Sequence, residues 1–150
     1  MELTDALTRP AASIEDAIEG TPVDLLTFNH LRTRNVIRCE TAFHTLDSWT
    51  VTDWACAMAG ECGEACNMVK KLRRLDDAKQ LANIPADREG IIRSIGDELA
   101  DLVIYADLLA ARLGIKLGKA VAEKFNAVSD RVGSDVKLEC SELSKAARTA

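Results

Sequence analysis

Apolar residues along this chain recur at intervals of three and four positions, which is the spacing that one face of an α-helix requires. Strand-like alternation of apolar and polar residues is absent. The periodic segments predict four helices, at about 24–46, 51–75, 87–113 and 117–131. The predicted fold class is therefore all-α, with the four helices arranged as an antiparallel bundle.

The same periodicity predicts which side chains are buried. The first stripe contains Phe28, Leu31, Cys39, Ala42, Phe43 and Leu46, the second Trp54, Met58, Ala65, Met68, Val69 and Leu72, and the third Ile91, Ile95, Leu102, Tyr105 and Leu109. Asn35 also lies on the first stripe, either as a polar contact inside the bundle or as a solvated residue at its edge.

Several helix ends carry their own signals. Thr50 is the expected N-cap of the second helix, and Asp53 stands three residues later, as in a capping box. Gly114 and Gly133 follow the third and fourth helices at the position where glycine commonly ends a helix.

The helical domain is predicted to span 24–133. Residues 1–23 contain two prolines and a glycine with little apolar periodicity, so we expect an irregular N-terminal arm. Residues 134–150 are predicted to be a polar tail, with a short helix at about 139–147.

Two pairs of carboxylates interrupt the apolar stripes of the second and third helices. Glu61 with Glu64, and Glu98 with Asp101, are each three residues apart and so project from one helical face. Glu61 and Glu98 lie in the middle of their stripes, where an unpaired carboxylate carries a large desolvation cost. A bound cation would remove that cost. Because the pattern occurs twice, we predict a metal site between the two helices.

Salt bridges to buried cations are the alternative explanation. Lys71, Arg112 and Arg131 could supply them. That explanation would be preferred for a single pair of carboxylates, whereas two matched pairs favour a metal. Asp97 adjoins Glu98 but points about 100° away from it around the helix, so it is left out of the site.

The ligand types narrow the choice of metal. Di-iron bundles add Glu-x-x-His motifs, which the two histidines of this chain, His30 and His44, do not complete. Zinc would require converging thiolates, but Cys56, Cys62 and Cys66 spread over more than 100° of one helix and are better interpreted as small buried residues. Four carboxylates suit Mg²⁺ or Mn²⁺, which in such sites keeps positions open for water and substrate phosphates.

Composition limits the class of function. A chain of 150 residues with 47% apolar and 29% charged residues is typical of one soluble domain. The net charge of −5, with no basic face beyond the run at 70–74, argues against nucleic-acid binding. The chain has no stretch of 18 apolar residues and no recognisable secretion signal, so we expect no membrane partner. Five cysteines without a disulfide-like spacing favour a reducing compartment.

The segments Glu61-Cys-Gly-Glu64 and Glu98-Leu-Ala-Asp101 resemble the ExxE and ExxD signature of the all-α NTP pyrophosphohydrolases, specifically the MazG-like family. The resemblance covers roughly residues 40–132. It includes the run DELADLVIYADLLAARLGI and the KFN segment that begins at Lys124. Because short forms with KFN resemble phage-encoded members, the resemblance implies the cytoplasm of a bacterium or of a phage-infected host.

The resemblance implies a metal-dependent hydrolase that converts a (d)NTP to the (d)NMP and pyrophosphate. The implied metal ligands for Mg²⁺ or Mn²⁺ are Glu61, Glu64, Glu98 and Asp101, and either Glu61 or Glu64 would accept the proton of the attacking water. It implies a weak preference for purine substrates such as (d)GTP, and assembly into homodimers or homotetramers.

The resemblance also implies substrate contacts. Those expected to bind phosphates are Lys71, Lys124, Asn126 and Arg131, with a solvated helix residue as an equal alternative for Lys124. Family members build their nucleoside pocket from the segment that here contains His44, Trp49 and Trp54. Trp49 is the better candidate for stacking on a base, since Trp54 falls on the apolar stripe. Tyr105 could touch the sugar or only line the site.

Two non-catalytic functions remain open on the sequence alone. The chain could be a regulator that binds a nucleotide without hydrolysing it, or a helical interaction protein that binds another chain through its apolar stripes.

Overall fold

The computed structural model describes residues 26–77 and 88–139. These ranges contain α1 (Phe28–Arg38), a π-helical stretch (Cys39–Phe43), a 3-10 turn (Leu46–Ser48), α2 (Val51–Asp76), α3 (Arg88–Arg112) and α4 (Leu117–Val132). No strand is present in the described ranges, which confirms the all-α prediction. None of the helices in them is both long enough and apolar enough to cross a membrane. The predicted arm (1–23) and nearly all of the short helix predicted at 139–147 lie outside the described residues.

The first helix is shorter than predicted, because its regular hydrogen-bond pattern changes after residue 38. In the π-helical stretch that follows, the His44 amide donates to the Cys39 carbonyl at 3.0 Å. The Glu40 carboxylate then accepts a hydrogen bond from the Leu46 amide at 2.8 Å. A side chain that satisfies a nearby backbone group in this way competes with continuation of the helix, so the chain turns away several residues before the predicted end.

The N-terminus of α2 is capped as predicted. The Asp53 amide donates to Thr50 Oγ1 at 3.2 Å, and the Thr50 amide donates to Asp53 Oδ2 at 2.9 Å, which completes the capping box. Hydrogen bonds from the Thr50 side chain and then from its backbone lower the pKa of Asp53. A cap of this kind typically stabilises a protein by about 1 kcal/mol.

Gly114 and Gly133 end the third and fourth helices as predicted. Their φ angles are 68° and 72°, in the left-handed region that side-chain-bearing residues rarely adopt. After α4, the Gly133 amide donates to the Asp130 carbonyl and the Ser134 amide to the Ser129 carbonyl, so the last carbonyls of the helix are satisfied.

The most extensive helix pair is formed by α2 and α3, which run in opposite directions. Trp54, early in α2, contacts Tyr105, late in α3, whereas Glu61, further along α2, interacts with Glu98, earlier in α3. The core at the Trp54 end contains the buried Cys39, Trp54 and Leu108, with Leu46, Trp49, Tyr105 and Leu109 packed against them. Burial of Trp54 agrees with the core-packing role predicted for it.

The connection between α1 and α2 is fastened to both helices of this pair. Arg112, at the end of α3, forms an ion pair with Asp47 at 3.3 Å and donates to the Trp49 carbonyl at 3.5 Å. The indole Nε1 of Trp54 donates to the Leu46 carbonyl at 3.2 Å. These bonds hold the Trp49 segment beside the Trp54 end of the pair.

A buried polar network joins α1 to α3. Asp107 is completely buried, and its Oδ1 accepts a hydrogen bond from Arg32 Nε at 2.8 Å. The side-chain amide of Asn35 donates to Asp107 Oδ2 at 3.2 Å and to the Ile104 carbonyl at 2.9 Å. Asn35 is only 4% exposed, so of the two alternatives, the polar contact inside the fold is correct.

Several residues of the predicted stripes are exposed instead of buried. Phe43 is 70% exposed, Val69 51% and Phe28 41%, and Ala42 is also exposed. The prediction that Cys56, Cys62 and Cys66 are small buried residues is likewise wrong, since all three are exposed. Periodicity identifies the apolar face of a helix but not how much of that face another helix covers, and the turn after α1 carries Phe43 away from the core.

Candidate metal centre and adjoining cavity

Three carboxylates from α2 and α3 converge between the two helices. Each of Glu61, Glu64 and Glu98 offers one oxygen, and the three oxygens lie within 4.8 Å of one another. Glu61 and Glu98 are half-buried and Glu64 is exposed, as expected from their positions at the middle and the edge of the stripes. The spacing of three residues brings Glu61 and Glu64 to one face, and the antiparallel pairing of the helices places Glu98 opposite.

Asp101, the fourth predicted ligand, is exposed. It is not one of the three residues whose oxygens lie within 4.8 Å of one another. Its charge nevertheless acts on Glu61. Burial raises the pKa of Glu61 most, followed by the negative charges of Asp101, Glu64 and Glu98, and a hydrogen bond with Glu98 acts in the same direction. All four predicted ligands are therefore close enough to interact.

No lysine or arginine among the described residues forms an ion pair with these carboxylates. Lys71 Nζ lies 3.5 Å from the sulfur of Met68, and Arg112 is bound to Asp47. Arg131, the third candidate cation of the salt-bridge alternative, is exposed on α4. The negative charges that add to the effect of burial on the pKa of Glu61 are thus not offset by an ion pair in the described part of the chain.

The spacing of the three oxygens fits a small hard cation after a modest movement. A point equidistant from three atoms 4.8 Å apart lies about 2.8 Å from each. Mg²⁺ is held by oxygens at about 2.0–2.1 Å. Each oxygen would have to move inward by less than about 1 Å, which long glutamate side chains permit and which a cation would favour by cancelling their repulsion. The all-oxygen set also suits Mg²⁺ or Mn²⁺ rather than a softer metal.

A cavity of about 130 Å³ adjoins the carboxylates and shares Asp101 with them. Five of the eleven residues that line it are aromatic: Phe43, His44, Trp49, Trp54 and Tyr105. The rings pack against one another: the centroids of His44 and Trp49 are 4.6 Å apart, and those of Trp49 and Trp54 are 4.7 Å apart. A wall of this kind can stack against a planar ligand group.

The hydrogen bonds of His44 define what its ring presents. Its Nδ1 lies 3.1 Å from the Thr45 carbonyl and 2.9 Å from Ser48 Oγ, and Ser48 Oγ itself donates to that carbonyl. All three contacts are satisfied together only if Nδ1 carries the proton. In the neutral ring, Nε2 is then an acceptor, and it is buried with no hydrogen-bond partner among the described residues.

Tyr105 lines the cavity and is also close enough to the carboxylates for their charges to act on its hydroxyl. Burial raises the pKa of its hydroxyl most, the negative charges of Glu61 and Asp101 raise it further, and the positive charge of Arg38 opposes the rise. The hydroxyl therefore lies within electrostatic reach of both the acidic residues and Arg38. A hydroxyl kept protonated in this position can donate a hydrogen bond to a ligand.

The predicted substrate-binding residues divide into two groups. Trp49 and Tyr105 line the cavity. Four others do not line it: Lys71, Lys124, Asn126 and Arg131. Lys71 lies further along α2, and the other three belong to α4, whose contacts with the α2–α3 pair are few.

Asn126, which was expected to bind phosphates, instead contacts the chain that follows α4. Its side chain accepts a hydrogen bond from the Leu138 amide at 2.8 Å and donates to the Leu138 carbonyl at 3.0 Å. Both polar ends of the amide are thus used to hold the chain that follows α4. In this position Asn126 fastens the tail and does not face the cavity.

Two polar residues of the cavity, Arg38 and Asn35, were missed by the sequence analysis as site residues. Arg38, the last residue of α1, lines the cavity together with Asp101, and Asn35 lines it one turn earlier. The available signal was weak: an asparagine on an apolar stripe, followed three residues later by an arginine. Only the packing of α1 against α3 shows that both face the site.

Comparisons of this chain with known protein families, with curated proteins and with solved structures found no match. The resemblance to the MazG-like family accordingly stays a prediction that rests on the ExxE and ExxD segments together with the run DELADLVIYADLLAARLGI and the KFN segment. The chemistry of the site is argued below from its own residues.

Proposed function

We propose that this protein is a metal-dependent nucleotide pyrophosphohydrolase that converts a (d)NTP to the (d)NMP and pyrophosphate. One observation carries the proposal: a cluster of three carboxylates without cationic partners among the described residues lies beside Asp101, which lines a cavity with several aromatic side chains. Such a neighbourhood suits a ligand that has a planar ring at one end and a metal-binding anionic chain at the other.

The size of the cavity supports a nucleotide whose base alone is enclosed. Pockets that take a complete drug-sized ligand measure about 300–1,000 Å³, well above the 130 Å³ found here. A ring could therefore enter the aromatic part while the phosphates extend past Asp101 toward the glutamates. Because phosphates and carboxylates repel each other, they could meet there only with cations between them.

In this proposal, Glu61, Glu64, Glu98 and Asp101 hold Mg²⁺ or Mn²⁺. Bound there, the metal would supply charge neutralisation and activation of water. Either Glu61 or Glu64 accepts the proton of the water that attacks the α-phosphorus. The bond between that phosphorus and the bridging oxygen breaks, pyrophosphate leaves, and the monophosphate keeps the new oxygen. Trp49 stacks on the base, and Tyr105 contacts the sugar. The weak preference for purines such as (d)GTP rests on the family resemblance alone.

We also propose that the helices belong to the antiparallel bundle of the all-α NTP pyrophosphatases and that the chain assembles as a homodimer or homotetramer. Exposed apolar side chains support assembly. Ile92, Leu99 and Val103 follow one face of α3 at spacings of seven and four residues, and Val121, Phe125 and Val132 follow one face of α4. Two uncovered stripes on one chain can cover each other in a second copy.

A cytoplasmic location agrees with the cysteines. All four in the described ranges are free: Cys39, Cys56, Cys62 and Cys66. Exposed thiols persist in a reducing compartment, where disulfides are rare.

Product analysis tests the proposed reaction. The protein is incubated with Mg²⁺ or Mn²⁺ and a panel of NTPs and dNTPs, and the products are separated by ion-exchange chromatography. Monophosphate with pyrophosphate supports the proposal, whereas diphosphate with orthophosphate contradicts the choice of bond. If nothing is hydrolysed but nucleotide and metal together raise the melting temperature, the protein is a nucleotide sensor. If neither effect is seen, an interaction protein is the better explanation.

A further inference from the structure

Arg38 is the cation that adjoins the candidate site most directly. It ends α1 and shares the lining of the cavity with Asp101 and Tyr105, and its charge acts on the Tyr105 hydroxyl. Despite this proximity, Arg38 forms no ion pair within the described ranges. Its Nη2 donates a hydrogen bond to Oδ1 of Asn35, at 3.1 Å.

The orientation of the Asn35 amide is fixed by its other contacts. Nδ2 donates to the Ile104 carbonyl and to Asp107 Oδ2, and both of these atoms can only accept hydrogen bonds. If the amide turned over, its oxygen would face two acceptors and its NH₂ group would face the Arg38 guanidinium. Oδ1 therefore has to point toward Arg38.

Asp107 is in turn fixed from the other side. It is completely buried, and Arg32 holds it through Nε while donating from Nη2 to the Ile115 carbonyl at 3.1 Å. A chain of hydrogen bonds thus runs from the half-buried Arg32 through the buried Asp107 and Asn35 to the guanidinium of the exposed Arg38. It holds that guanidinium beside the cavity through Nη2, and within the described ranges no other N–H group of Arg38 forms a hydrogen bond.

We propose that Arg38 binds a phosphate group of the nucleotide and that Asn35 is the positioning residue that orients it. This inference rests on the proposed function for the identity of the ligand. A planar guanidinium held through Nη2 can present its remaining N–H groups to phosphate oxygens in the paired geometry that arginine favours. The alternative is a solvated residue that merely complements the dipole at the end of α1.

Titration calorimetry with inorganic tripolyphosphate and Mg²⁺ tests the role of Arg38 without a base or any turnover of a nucleotide. Arg38→Met should weaken binding of tripolyphosphate by about 10- to 100-fold, as expected for loss of a charge-assisted hydrogen bond. The affinity for Mn²⁺ alone, measured by electron paramagnetic resonance, should change less than about twofold, since Arg38 is not a metal ligand. Arg34→Met is the matched control: Arg34 is exposed on the same helix, does not line the cavity, and carries the same charge.

Arg38→Lys separates orientation from charge. Lysine keeps the positive charge but cannot bond to Asn35 and to a phosphate with one rigid group, so most of the loss should remain. Full affinity in Arg38→Lys would overturn the positioning role of Asn35, and full affinity in Arg38→Met would overturn the inference as a whole. Failure of the wild-type protein to bind tripolyphosphate with Mg²⁺ would also overturn it. If tripolyphosphate binding depends on Arg38 but no NTP is hydrolysed, the proposed reaction fails while the inference stands.

Discussion

Replacing Glu61 by glutamine should change the stability of the protein in opposite directions with and without metal. Glu61 has one carboxylate oxygen of Glu64 and one of Glu98 within 4.8 Å. At that distance Coulomb's law gives about 0.9 kcal/mol for each pair of like charges at the dielectric constant of water. Glutamine removes both repulsions at almost unchanged helix propensity, so the metal-free variant should be about 1–2 kcal/mol more stable than the wild type.

Thermal unfolding followed by circular dichroism measures this difference. In EDTA and low salt, Glu61→Gln should raise Tm by about 2–8 °C, and 1 M salt should reduce the gain. In Mg²⁺ or Mn²⁺ the order should reverse. Saturation at 100 times Kd stabilises the wild type by about 2.7 kcal/mol, and much of that gain needs the ligand that the variant has lost. All samples are compared at one protein concentration, because assembly would make Tm depend on it.

Asp97→Asn is the control for removing one negative charge, since Asp97 is exposed beside Glu98 and outside the cluster. It should leave both the stability in EDTA and the metal effect nearly unchanged. A lower Tm for Glu61→Gln in EDTA, or a metal effect equal to that of the wild type, would refute the reasoning, because the cluster would then be neither repulsive nor a metal site.

The pH dependence of the same comparison follows from the raised pKa of Glu61. A folded-state pKa above the ordinary value of 4.5 means that the folded protein binds this proton more tightly than the unfolded chain does. The destabilisation by Glu61 is therefore absent at pH values below 4.5, grows as the pH rises through the folded-state pKa, and is complete above it. The Tm advantage of Glu61→Gln in EDTA should grow over that interval and then stay constant.

Three other substitutions test separate parts of the structure. Trp49→Ala should weaken nucleotide binding about 10-fold by loss of stacking while the affinity for Mn²⁺ stays unchanged, and equal affinity for nucleotide would exclude Trp49 from the base site. Leu99→Glu should shift the mass measured by light scattering toward that of a monomer, and an unchanged assembly would place the interface elsewhere. Thr50→Ala should lower the free energy of unfolding by about 1 kcal/mol in a urea titration. Because the lowered pKa of Asp53 makes its contribution to stability present at neutral pH and lost in acid, the cost of Thr50→Ala should shrink as the pH falls below the ordinary range of an aspartate.

The features that could be predicted from the sequence depend on residues close together in the chain. The capping box needs only Thr50 and Asp53, and a left-handed helix end needs only a glycine at the right place. The same holds for one half of the candidate metal centre, because helix geometry alone brings Glu61 and Glu64 to a common face. To predict that this pair lies close to Glu98 and Asp101, one further assumption was needed: that the second and third helices pack side by side.

The features that could not be predicted depend on coverage and on long-range polar contacts. Phe43 fits the periodicity of a buried face, but the sequence does not show that the chain turns away after Arg38. Asn35 fitted both an inside and an edge position until its bonds to α3 were known. The burial of Asn35 is decided by the Asp107 carboxylate and the Ile104 carbonyl, which lie far from it in the sequence. Local spacing therefore cannot distinguish a buried from a solvated Asn35.

The candidate site accordingly has two parts, the carboxylates and the cavity, which are built from different segments of the chain. The carboxylate part comes from two helices that form the most extensive contact in the fold, so its geometry is tied to the core. The cavity part comes from the end of α1, the connection after it, Trp54 at the start of α2 and one face of α3, and several of its aromatic side chains lie in or beside that connection. Loops and connections tolerate change better than packed helices do. Substitutions in the connection should therefore alter which planar group is accepted without disturbing the carboxylates, whereas changes at Glu61 or Glu98 should affect every ligand that needs the metal.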